Sequence, residues 1–218
     1  IKEERREGKK KRHFFGLGVI NRCDMRYIIF SAIIWMCWLI NSLLIIRWMG
    51  YYFMVIHGYA RNEWLLVFLA SGIMMIVGGV LSGIIMDKIG RKKGFIIGAL
   101  GFAFSLFLLG FGPVALLPVM GALTGFFIAF SYAWVIVYIP EIFPTERRGA
   151  CLGWTTTVAR ISYVLGPVIA ALMLEADPTM EWFWVVGGVL MIFAVCVVVL
   201  FHPYETKIKE LEEIEVNR

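Results

Sequence analysis

The sequence predicts an all-α membrane protein with six transmembrane helices, and three observations predict it. Hydrophobic residues make up 60% of the 218 positions and charged residues only 17%, whereas a soluble domain carries about a quarter charged residues. The apolar residues fall into six runs of about 20, the length that crosses a ~30 Å hydrocarbon layer. The charges lie between those runs, and their sign differs from one side to the other. Two-residue alternation is absent, so helices that pair their own backbone groups are expected, and a barrel is not.

The chain opens at Ile1 and is expected to be a piece of a longer protein. Residues 1–26 are polar and strongly basic (Lys9, Lys10, Lys11, Arg12, Arg22 and Arg26 among them) and are expected to form a cytoplasmic connector. The six-helix transmembrane part covers 27–202, with spans at 27–48, 64–86, 94–111, 114–138, 152–174 and 182–201. The second and third spans are joined by a short, charged turn, which must sit at a water interface. The fifth holds Gly166-Pro167, which predicts a kink there, because proline removes a helical hydrogen bond and clashes with the preceding turn. The tail, 203–218, pairs Glu205 with Lys209 and Lys209 with Glu213 at i,i+4, the spacing of a short helix.

Of the 21 lysines and arginines, all but Arg47, Arg61 and Arg160 fall on one side of this arrangement. Short cytoplasmic loops collect Lys and Arg, so both termini are expected in the cytoplasm. The net charge of +5 is explained by topology and anionic lipid, and nucleic acid is not an expected partner. Cys23, Cys37, Cys151 and Cys196 are too scattered for a disulfide framework or a metal site. No cofactor or metal is expected, and no span carries the paired carboxylates or clustered histidines of an enzyme. Gly79-x-x-x-Gly83 and Gly121-x-x-x-Gly125 have the spacing that lets helices approach closely. His57 and His202 are expected at the interfaces rather than in a proton relay.

Three motifs point further. Residues 83–93 read GIIMDKIGRKK, with Gly83, Asp87, Gly90 and Arg91 in the pattern G-x-x-x-D-K-x-G-R-K. Glu141 and Arg148 are separated by six residues after the fourth span. The tail reads HPYETKIKELEE from His202 and is similar to a P-E-T-K-G segment, departing from it at Tyr204 and Ile208. In this order they resemble the C-terminal half of a major facilitator superfamily transporter, of the sugar-porter and organic-ion branch. The resemblance implies a six-helix half of 3+3 inverted repeats, an N-terminal six-helix half as partner, a lipid bilayer, and alternating access for a small-molecule substrate. Asp87, Arg91, Glu141 and Arg148 lie at one membrane face. There they could pair across helices as an inner gate, and Asp87 could approach the N-terminal end of the fifth span. The alternative is that these charges only end helices and fix topology.

Arg160 is a cation near mid-membrane, a functional candidate because such a charge is costly. Its surroundings, TTTVARISYVLGP, resemble the equivalent helix of organic-anion transporters and bacterial aromatic-acid symporters. An arginine fork suits a carboxylate. It could instead pair with a carboxylate beyond this chain or a carbonyl freed by Pro167. The resemblance implies that the first and fourth spans line the cavity and that the second and fifth face the missing half. Trp38, Asn41, Tyr132 and Thr156 are the further substrate candidates, with Trp35, Ser42, Ser131, Trp134, Thr155 and Thr157 beside them. The Q-Q-x-x-G pattern of sugar porters is absent from the first span. The expected function is secondary transport of a small organic anion in the plasma membrane. Protons are a coupling ion that only the other half could serve, since the spans hold no carboxylate. Sugar or polyol transport is the alternative, and a non-transporting sensor or self-assembling six-span protein is the alternative of another class.

Overall fold

The computed structural model describes residues 20–201, and the regular structure within them is helical. Helix α1 (Arg22–Tyr51) runs on through a π-helical turn at Tyr52–Ile56. Helices α2 (Arg61–Ile89) and α3 (Arg91–Phe111) are separated by Gly90 alone. A 3-10 turn at Val114–Leu116 leads into α4 (Leu117–Glu141). The fifth span is made of two pieces, α5 (Arg148–Ala159) and α6 (Ser162–Ala176), and α7 (Glu181–Phe201) is the sixth. All six spans are long and apolar enough to cross a membrane, and the chain is an integral membrane protein.

Most helices extend past the apolar runs, because interfacial polar residues continue them. Helix α1 starts at Arg22, within the expected connector. The Asp24 carboxylate accepts the N–H of Asn21 at 3.0 Å, which ties off the first turn. Glu63 does the same for Ala60 at 2.8 Å at the start of α2. Residues 1–19 and the tail from His202 lie outside the described residues, as do the expected connector structure and tail helix.

The helix of the fifth span is interrupted at Arg160–Ile161, while Pro167 sits inside α6 and does not end it. Local hydroxyls account for the interruption. Thr155, Thr156 and Thr157 each donate to the carbonyl four residues back, at 2.9, 2.7 and 2.8 Å, a habit that bends helices. Ser162 Oγ then donates to the Ala159 carbonyl at 2.7 Å. That carbonyl is the α-helical acceptor for Tyr163, whose N–H turns to Arg160 instead at 2.9 Å. The chain tightens into 3-10 geometry and the helix stops.

Packing follows an exchange rule. The second span packs chiefly on the fourth and the first on the fifth; the third packs on the sixth; and the first–sixth contact is matched by the third–fourth. Exchanging spans 1–3 with 4–6 maps this set onto itself, as an inverted repeat requires. Between α2 and α4 the glycines that matter are Gly78 and Gly125. A Cβ at Gly125 would stand 2.5 Å from the Ser71 carbonyl oxygen, and one at Gly78 would run into Phe126. Gly79 and Gly83 have nothing within 4 Å, so that expected pair does not make the contact. The second and fifth spans are the least buried of the six.

Candidate functional site

The charged turn places three ion-pairing residues at three helix ends. Gly90 has φ +102°, backbone that a side chain would strain, and this permits the reversal from α2 to α3. Arg91 is thereby set one turn after Asp87, to which its guanidinium donates. The rest of its fork meets Glu141 at the end of α4, Nη2 to Oε1 at 3.3 Å and Nε to Oε2 at 3.4 Å. Arg91 is 15% exposed and Asp87 70%. Asp87 and Glu141 are anions at helix C-terminal ends, and Arg91 is a cation at an N-terminal end. The helix dipoles oppose all three placements, so the network is held by mutual pairing against local preference.

Two of the expected contacts are not made. Arg148 turns back onto the loop after α4, donating to the Phe143 carbonyl at 3.3 Å and to Thr145 Oγ1 at 3.4 Å, and does not meet Glu141. Asp87 meets Arg91, not the start of the fifth span. A pair that motif reasoning missed lies beside them: Arg147 Nη1 to Asp24 Oδ2 at 3.2 Å, with Asp24 1% exposed. It ties the start of α1 to the loop before α5. The signal was present in the sequence, since Asp24 is the lone acid between Gly8 and the first span and stands at the third position after Asn21.

In mid-span, Trp38 and Tyr132 join the first and fourth spans. Their rings stack at 4.3 Å and 19°, and Trp38 Nε1 donates to Ser131 Oγ at 3.1 Å and to the Ile128 carbonyl at 3.2 Å. Asn41 is buried, donates to the Cys37 carbonyl at 3.1 Å, and lies against Gly187 of α7. It faces the helix interface, not open space. Thr156 is bonded to its own helix. Trp134 is fully buried between Phe95 and Tyr138. Arg160 occupies the break between α5 and α6, exposed, and its guanidinium has no hydrogen-bond or ion-pair partner among the described residues. It stands about 18 Å along a 29-residue span from Arg148, near the midpoint. The structure therefore joins Trp38 and Tyr132 by direct ring contact, with Asn41 one turn further along α1.

At the opposite end, His57 follows the π-helical turn with its ring 4.5 Å from that of Tyr52. Its Nε2 is buried with no hydrogen-bond partner among the described residues. Burial pushes the imidazole pKa down, with nearby Glu181 acting in the other direction.

Comparison with known proteins shows similarity to transporters. Over 162 residues the chain is 31% identical to the "Probable metabolite transport protein CsbC" of Bacillus subtilis, covering 67% of this chain and 33% of the relative. Over 123 residues it is 30% identical to the "Cis,cis-muconate transport protein" of Acinetobacter baylyi, covering 56% of this chain and 30% of the relative. The chain thus spans about a third of the length of these relatives. A solved structure of the proton:xylose symporter XylE with bound 6-bromo-6-deoxy-D-glucose has a similar fold, with TM-score 0.71 and 23% identity over 99% of this chain and 46% of that one. With the profile of the Major Facilitator Superfamily matching residues 27–217, the chain belongs to that family.

Proposed function

We propose that this chain is the C-terminal half of a secondary transporter that moves a small organic anion by alternating access. The observation that carries the reading is Arg160. A guanidinium at the middle of a membrane span, exposed at a helix break and without a partner among the described residues, costs about 2.5–3.5 kcal/mol to place. Broken helices are where transporters of this kind bind substrate. A planar fork of N–H donors suits a carboxylate. The likeness to a muconate transport protein supports an acid as substrate. The exposed second and fifth spans are the faces that an N-terminal half would cover, and the basic end faces the cytoplasm by the charge rule.

The Asp87–Arg91–Glu141 network serves as an inner gate. Its members are held against their helix dipoles, so a change in helix geometry that parts them releases three opposed charges together. Alternating access needs states separated by only a few kcal/mol, and one such network is enough to bias them.

A second reading, sugar transport, has two supports: the fold shared with a xylose symporter and the stacked Trp38–Tyr132 pair, whose aromatic faces suit a sugar ring. Uptake by the full-length protein in proteoliposomes, across labelled carboxylates and sugars, separates the two. Carboxylate uptake abolished by Arg160→Gln supports the anion reading. Sugar uptake that survives Arg160→Gln, with no carboxylate uptake, overturns it.

A further inference from the structure

We propose a second anion site, nearer the end opposite Asp87, in the cleft between α1 and α6, where an aromatic carboxylate binds before it reaches Arg160. The cleft has a volume of about 350 Å³, within the ~300–1,000 Å³ of small-molecule sites. Arg47, Trp48 and Tyr51 line it from α1, and Tyr163, Gly166 and Pro167 from α6. Gly166 keeps the wall open, its missing Cβ meeting only the Leu43 side chain at 3.6 Å.

The residues specify the ligand. Arg47 is exposed in the last turn of the apolar run of the first span and makes no hydrogen bond or ion pair among the described residues, so its fork is open to an anion. The remaining polar groups are few, and Trp48, Tyr51 and Tyr163 offer ring faces and edges on both walls. A flat ring between them, with its carboxylate on the Arg47 fork, satisfies the cation and buries the ring. A sugar would leave several hydroxyls unpaired against an apolar wall, which is costly. Tyr163 is three residues beyond Arg160, about 4.5 Å along the helix, so an anion leaving Arg47 has a second guanidinium one turn deeper.

This proposal rests on the anion reading above, but binding and transport are measured separately, so their failures can be told apart. The probe is radiolabelled benzoate, bound to purified full-length protein in phosphatidylcholine nanodiscs. Arg47→Gln is expected to weaken binding about tenfold, the loss of one charge-assisted interaction. Arg47→Lys should recover part of it, and Tyr163→Ala should weaken benzoate more than acetate. In uptake, Arg47→Gln should raise KM with kcat retained. Saturable benzoate binding that needs Arg47, without benzoate uptake, would uphold the cleft and remove the transport reading. Unchanged binding in Arg47→Gln with binding lost in Arg160→Gln would overturn the cleft while keeping the transport reading. Absence of benzoate binding in the wild type overturns it as well. So does displacement of benzoate by phosphatidylglycerol in the nanodisc, which would make the cleft a lipid headgroup site.

Discussion

Replacing Arg147 with alanine tests the ion pair between the start of α1 and the loop before α5. The change takes the Arg147 guanidinium away from Asp24, a carboxylate only 1% exposed. Breaking a buried pair from one side costs about 3–5 kcal/mol. Two features reduce this. Asp24 keeps the Asn21 N–H at 3.0 Å, and it sits in the first turn of α1, where the helix dipole favours an anion by about 0.3–1 kcal/mol. Arg147 is itself 23% exposed, so water reaches the vacated space. The expected loss is about 2–3 kcal/mol. Arg148→Ala, which gives up only bonds to the Phe143 carbonyl and Thr145, should cost about 1 kcal/mol. The assay is denaturant unfolding of the full-length protein in mild detergent, followed by tryptophan fluorescence. A double-mutant cycle with Asp24→Asn should return a coupling of about 1–2 kcal/mol. A coupling below about 0.5 kcal/mol, or Arg147→Ala no worse than Arg148→Ala, would refute the reasoning.

Three further predictions concern the joint, the network and the opposite end. Gly90→Ala must hold a Cβ at φ +102° and should cost roughly 1–2 kcal/mol; an unfolding midpoint equal to wild type would show that the turn relaxes freely. Arg91→Glu and Glu141→Arg should each abolish uptake, and the double exchange should restore a measurable part, since the structure pairs these two; no restoration would mean that Asp87 is the partner that counts. His57 has a lowered pKa in the folded protein, so the unfolded chain takes up its proton first. Its contribution is therefore full above about pH 6.5 and declines as pH falls through that value. Thermal scans from pH 7.5 to 5 should show this decline flattened in His57→Gln, and an identical slope in both proteins would place the titration elsewhere.

The six spans were legible because nothing but a membrane helix explains runs of about 20 apolar residues with charges gathered between them. Helix ends were less legible. Asn21 with Asp24, and Ala60 with Glu63, cap helices from within polar stretches that hydropathy assigns to water. The fifth span shows a second limit. Pro167 is the conspicuous breaker, yet the helix breaks at Arg160, where Ser162 takes the Ala159 carbonyl and three threonines bend the turn before it. That competition depends on side-chain rotamers, which a sequence pattern does not contain. At the charged turn, the residue types and their common face were readable from GIIMDKIGRKK. The partner of Glu141 was not, because a six-residue spacing to Arg148 describes the chain, whereas the contact to Arg91 depends on how α2 and α4 cross. The surroundings of Asn41 were unreadable for the same reason: a mid-span amide needs a partner, and its own helix supplies one beside Gly187.

The exchange rule in the packing has a consequence for how the protein is made. The dominant helix pairs, second with fourth, first with fifth and third with sixth, all join the earlier three spans to the later three. Within either group of three, neighbours touch much less. A nascent chain halted after Phe111 would therefore have the first three of these helices in the bilayer with few of their final contacts available. Gly78 would lack the Phe126 backbone it is cut to fit, and Tyr52 would still hold its bond to the Leu109 carbonyl. Assembly of this unit must wait for its later three helices, so the earlier three stand in lipid without most of their final partners until those helices arrive. A pause between the third and fourth spans would leave those unfilled faces exposed to lipid.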